Sequence, residues 1–151
     1  MIKRIQLLVF FLLFQLIGAE EPIALISKLR GSANYKIGSE NKYRTKVKVN
    51  TPIFHEGQLL TGSKSFVKVV YLDDASTISV YPETELTILG TIEDRKIYKQ
   101  IDLKSGIIQV DMNLQTKGKF MLSTPHSEIT CNQCKFWEST CSACGQTYSC
   151  V

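Results

Sequence analysis

Apolar residues recur at alternate positions from residue 23 to residue 129, and no window of helical length keeps a helical period. Successive side chains of a strand point to opposite faces. Tyr43, Thr45, Val47 and Val49 therefore fall on one face of a predicted half-buried strand, with Lys42, Arg44, Lys46 and Lys48 on the other. Residues 66–72 are apolar on nearly both faces, which predicts a central strand covered on each side. Residues 77–81, 84–89, 96–103, 107–112 and 119–122 continue the series. Asp73-Asp74, Tyr81-Pro82, Gly90, Ser105-Gly106 and Lys117-Gly118 separate the strands as turn or bulge signals. Many short strands at regular spacing predict an all-β domain of antiparallel strands, in a small sandwich or roll or a short solenoid-like stack.

The first residues break this pattern. Lys3 and Arg4 precede an apolar run over residues 5–18, interrupted only by Gln6 and Gln15, and Ala19 is followed by Glu20-Glu21-Pro22. This is the pattern of a secretory signal peptide, with cleavage expected after Ala19. The run is shorter than the roughly 20 apolar residues a membrane-spanning helix needs. Export to the periplasm or beyond is therefore expected, with the membrane met only during export. Losing Lys3 and Arg4 lowers the formal charge from +4 to +2, so net charge points to no partner. The organisation read here is a signal peptide over 1–19, a β domain over 20–130 and a cysteine-rich tail over 131–151.

Five stretches lie in the order found in the FecR domain. Glu56-Gly57-Gln58-Leu59-Leu60-Thr61-Gly62 is similar to the family's "Gly-Asp-x-Ile-x-Thr-Gly" step, with Gln58 in place of Asp. Asp73-Asp74-Ala75-Ser76 resembles its "Asp-Gly-Ser" hairpin turn, with Ala75 in place of Gly. Tyr81-Pro82-Glu83-Thr84-Glu85-Leu86 resembles "Pro-x-Thr-x-Leu", Leu103-Lys104-Ser105-Gly106-Ile107-Ile108 resembles "Leu-x-x-Gly-x-Ile", and Ser123-Thr124-Pro125 resembles the Thr-Pro step before the last part. The resemblance covers residues 23–129 and implies a periplasmic β domain. It places turns at Gly57, Thr61, Gly62, Asp73, Asp74, Pro82, Gly106, Thr124 and Pro125. The best-known members relay signals from an outer-membrane receptor to a cytoplasmic sigma factor through a transmembrane helix. Here a signal peptide precedes the domain, so direct sigma-factor control is not expected. After Thr-Pro the family continues to "Arg/Lys-Gly-Thr-x-Phe", whereas this chain reads Asn132-Gln133-Cys134-Lys135-Phe136-Trp137. An open sheet edge is expected there.

All five cysteines, Cys131, Cys134, Cys141, Cys144 and Cys150, lie in the tail. Cys131, Cys134, Cys141 and Cys144 form two CxxC pairs whose thiolates could close a tetrahedral zinc site. The pairs are much closer than the ~15–20 residues usual in zinc ribbons, and an oxidising envelope favours disulfides. Redox chemistry by CxxC needs a helix N-terminus that the pattern does not offer. A truncated or frameshifted gene would also give such a tail. No cofactor is expected, with zinc the alternative.

Lys42, Arg44, Lys46 and Lys48 would form a cationic stripe ~20 Å long, at ~6.6–6.8 Å per alternate residue. Such a stripe suits an anionic envelope polysaccharide, or it keeps an edge strand from pairing with another molecule. Nucleic acid is not expected, since no aromatic stacking set accompanies the cations. His55-Glu56 lacks the second histidine of a metalloprotease pair, and there is no nucleophile elbow, phosphate loop or dinucleotide fingerprint. Asp73-Asp74 reads as a hairpin tip rather than a catalytic carboxylate pair. The sequence therefore predicts an exported, non-catalytic binding or signal-relay module of the bacterial cell envelope, with a protein or polysaccharide partner. The alternatives are a zinc or thiol module carried by the tail, and a structural envelope component.

Overall fold

The computed structural model describes residues 20–38, 40–43, 45–113, 120–131, 135–140 and 149–150. Among them there is no helix, and the chain forms one sheet that curls around a single core. The strands are β1 (Ala24–Arg30), β2 (Ala33–Ile37), β3 (Thr45–Lys46), β4 (Pro52–Ile53), β5 (Gly57–Thr61), β6 (Phe66–Tyr71) and β7 (Thr77–Val80). They continue as β8 (Glu85–Glu93), β9 (Lys96–Asp111), β10 (Phe120–Ser123), β11 (Glu128–Cys131), β12 (Lys135–Thr140) and β13 (Ser149–Cys150). Their order across the sheet is β3-β2-β5-β8-β9-β7-β6-β1-β4, and off this path β10 and β12 also pair with β9, each carrying its own partner, β11 and β13.

β9 is the hub. Its first half pairs with β8 and β10, its second with β7 and β12. The predicted strands 96–103 and 107–112 are thus one strand, and Ser105-Gly106 is a bulge within it. Ile97, Ile101 and Leu103 face the core before the bulge, and Ile108 and Val110 after it, so the inward face switches from odd to even positions. An extra residue in one strand produces such a switch. The bulge registers as a slip between Glu85 and Leu86 of β8. Gly106 supplies the required backbone, at φ +104°, and a Cβ there would collide with Thr84. The curl is strong enough that Lys99, near the start of β9, and Asn113, just past its end, both bond Asp74. A straight strand would hold them roughly 45 Å apart.

Both halves of the curl fill the core. Val67, Val69, Tyr71, Ile78 and Val80 come from one side, and Leu59, Leu86, Ile88, Phe120 and Leu122 from the other. Each buried aliphatic contributes about 1.5–3 kcal/mol, which fixes the inward faces of these strands.

The all-β architecture agrees with the sequence pattern, with several corrections. One pair, β9 with β10, is parallel. β6 is central, but only Val67, Val69 and Tyr71 are fully buried, while Phe66, Lys68 and Val70 on its outer face are half-buried. The strand expected around residues 42–49 reduces to β3, because a turn closed by Lys48 and Thr51, with Asn50 at φ 68°, follows it. Val47 is buried and Val49 exposed, so they do not share a face. Gly90 is not a turn: β8 runs through it, and its missing side chain makes room for Ile23 and Ile97. At the edge expected to be open, β12 pairs with β9 from Lys135 to Thr140. The boundary drawn after residue 130 falls inside β11.

Candidate functional site

β9 carries a lysine where its alternation calls for an apolar residue. Lys99 lies between Ile97 and Ile101 on the inward face, and its side chain is only 2% exposed. The partners come from the turn after β6, where Asp73 and Asp74 precede Ala75 at φ 60°. A left-handed backbone of this kind is one that glycine ordinarily supplies. Asp74 Oδ1 accepts the Ser76 N–H at 2.8 Å, a side-chain-closed turn. The expected hairpin turn is therefore present, but its carboxylates point inward rather than to solvent.

Lys99 Nζ lies 2.8 Å from Asp73 Oδ2 and 2.9 Å from Asp74 Oδ2, with side-chain exposures of 7% and 1% for the two aspartates. It also donates to the Ile97 carbonyl at 3.3 Å. Asp73 Oδ2 accepts a second bond, from the Ile97 N–H at 3.0 Å. The Tyr71 ring lies 5.1 Å from Nζ, within cation–π range. Burial first, and then the Asp73 and Asp74 charges, push the Tyr71 phenol well above its usual pKa. Among the described residues, two buried side-chain atoms have no hydrogen-bond partner, Tyr71 Oη and Asp73 Oδ1. Asn113 locks the far side of the turn, donating from Nδ2 to the Asp74 carbonyl at 2.7 Å and from its N–H to Ser76 Oγ at 3.0 Å.

A second polar cluster contains motif residues. The Thr61 hydroxyl donates to the Tyr81 carbonyl at 2.6 Å and accepts the Thr84 N–H at 2.9 Å. Thr84 Oγ1 in turn accepts the Ile107 N–H at 3.0 Å, just past Gly106. Thr61, Pro82, Thr84 and Gly106 thus brace β5, β8 and β9 at the bulge. Gly57 and Gly62 pack against Tyr35 and Ser32. Thr124 and Pro125 form the β10–β11 hairpin turn, where Thr124 Oγ1 accepts the Ser127 N–H at 3.0 Å.

Near the start of β9, the β8–β9 hairpin extends past both neighbours. β5 stops opposite Ile88, and beyond it the His55 ring takes the place of a strand, with Nδ1 3.1 Å from the Gly90 N and 3.0 Å from its carbonyl oxygen. A cleft of about 260 Å³ lies alongside, lined by His55, Leu89, Gly90, Thr91, Tyr98, Lys99, Gln100 and Met121. Tyr98 at 50% and Ile92 at 40% are exposed on this hairpin.

The other sequence candidates do not assemble. Lys42, Lys46 and Lys48 are exposed but do not share a strand, and Arg44 lies outside the described residues. Cys134, Cys141 and Cys144 also lie outside them, while Cys131 ends β11 and Cys150 belongs to β13. Among the described residues, no group of three or more His, Cys, Asp or Glu could hold a metal. Sequence reasoning missed Lys99 and His55. Lys99 had a signal, a charge at an inward position of a period-two pattern. Comparison with protein-family models, with curated proteins and with solved structures returns no match.

Proposed function

We propose that this protein is an exported FecR-like β module of the bacterial cell envelope that binds a protein partner, without catalysis, by accepting a strand beside the β8–β9 hairpin. The observation that carries this reading is the outer edge of β8, which meets the His55 side chain at Gly90 instead of a strand. Exposed strand edges are pairing templates, and strand addition takes affinity from backbone bonds and specificity from neighbouring pockets. The adjacent cleft, with Leu89, Tyr98 and Met121, offers such a pocket. The leader pattern and the five motif stretches support the envelope assignment.

The test is a photo-crosslinking residue placed at Ile92 or Tyr98 in cells, with exposed Lys28 on β1 as the control site. The expected result is a discrete protein adduct from 92 and 98 but not from 28, in the periplasmic fraction. Adducts from all three sites, adducts removed by polysaccharide digestion, or a cytoplasmic protein would each overturn the proposal.

A further inference from the structure

We infer that Lys99 and Asp73 join in an intramolecular isopeptide bond, formed by the folded chain itself, with Asp74 carrying the proton. One amine is held at hydrogen-bond distance from two carboxylates, all three side chains at least nine-tenths buried. A nitrogen bonded to a carboxylate oxygen sits within roughly 3–4 Å of the carbon, close to a near-attack separation. Burial also makes the ion pair costly, since desolvating charges offsets much of their attraction. An amide in the same place is neutral and releases that cost along with one water.

The two aspartates are not equivalent. Asp73 Oδ2 faces the Ile97 N–H, a fixed donor where negative charge develops when nitrogen adds to the carboxyl carbon. Asp73 Oδ1 has no partner, although buried carboxylate oxygens are nearly always bonded. It is the oxygen free to leave. Asp74 is tethered through Oδ1 to the Ser76 N–H and meets the same amine through Oδ2, which suits a proton carrier.

The step balances within the cluster. One proton passes from the Lys99 ammonium to the Asp73 carboxylate, leaving a neutral amine and a neutral acid. Nζ attacks Cγ, the new N–C bond forms, and charge collects on Oδ2. Asp74 accepts a second proton from the nitrogen and delivers it to Oδ1, the C–Oδ1 bond breaks, and water departs. The third nitrogen proton stays on the amide. No oxidant, reductant or outside group takes part. The product ties the β6–β7 turn covalently to β9.

The test is mass spectrometry of the purified, denatured and reduced protein digested with trypsin. Residues 69–95 contain both aspartates and no internal cleavage site, and a blocked Lys99 leaves 97–104 uncut. The expected species is 69–95 linked to 97–104, lighter than the sum of the two by one water. Asp73→Asn should give the same link with loss of ammonia instead of additional water, and Asp74→Ala should fold by circular dichroism yet remain unlinked. A wild-type Lys99 that trypsin cleaves, with 69–95 at its sequence mass, overturns the inference. A linked Asp74→Ala protein overturns the role given to Asp74.

Discussion

The Thr61–Thr84–Gly106 brace and the Lys99–Asp73–Asp74 cluster both fasten turns onto β9, but with different chemistry. The brace uses neutral hydroxyls, and Thr61 Oγ1 and Thr84 Oγ1 each both donate and accept. The charged cluster places one cation against two anions in the core and leaves Asp73 Oδ1 and Tyr71 Oη without partners. Neutral groups that close on each other add about 0.5–1.5 kcal/mol per bond. Charges that do not balance make a region whose integrity depends on each member. The bulge is thus held by redundant small contributions, and the β6–β7 turn by the single side chain of Lys99.

Removing Lys99 should break the contrast most sharply. Lys99→Met leaves two buried carboxylates facing each other, and urea unfolding should show a loss of about 3–5 kcal/mol, the cost of an uncompensated buried charge. Thr84→Val keeps the shape of the brace and removes its hydroxyl, so the expected loss is smaller, about 1–3 kcal/mol in the same assay. A Thr84→Val loss equal to that of Lys99→Met would erase the distinction.

Tyr71→Phe sharpens the comparison from the other direction. It removes a buried hydroxyl that has no partner, so neutral-pH stability should change by less than about 1 kcal/mol. The alkaline limb should change more visibly. The Tyr71 phenol has a raised folded pKa, so its contribution is complete below the unfolded value of about 10 and is lost as pH rises from there. Melting curves of the Phe variant should therefore fall less steeply above that pH.

The smallest effect belongs to an exposed analogue, Glu85 with Lys104 at 3.2 Å and Tyr43 at 3.0 Å. Burial raises the Glu85 carboxyl pKa, but the Tyr43 hydrogen bond and Lys104 outweigh it and hold the group below its usual value. Its contribution is therefore present above the unfolded carboxyl pKa and lost as pH falls through the lowered one. Tyr43→Phe should shift the Glu85 titration upward by NMR, with a stability change under about 1 kcal/mol because solvent screens the site.

Much of the fold was legible because alternation is a local signal. β6, β7 and β10 lie close to where period-two patterning and turn residues place them, and β9 spans two of the predicted strands. What was not legible depends on distant partners. β3 has the alternation of a longer strand, but pairing with β2 extends only over Thr45 and Lys46. The parallel register of β10 on β9 leaves no mark in either segment. Lys99 stands at an inward position of the alternation, a signal left unused, and its counter-charges sit in a turn whose residue types ordinarily face solvent. The His55 contact was hidden for a similar reason, since a ring replacing a strand has no spacing signature.

The position of β9 at the junction of both halves also sets the order in which the molecule can assemble. A chain emerging from its N-terminus can zip β1 to β4 and β6, and β2 to β3 and β5, before any of β9 has been made. Neither set can close on the other until residues 96–111 arrive to join β8 with β7. Until that moment the inner faces of two unfinished sheets stand uncovered. Pairing that must wait for a late segment leaves a growing chain open to aggregation. The time this protein spends vulnerable is set by the delivery of a single strand.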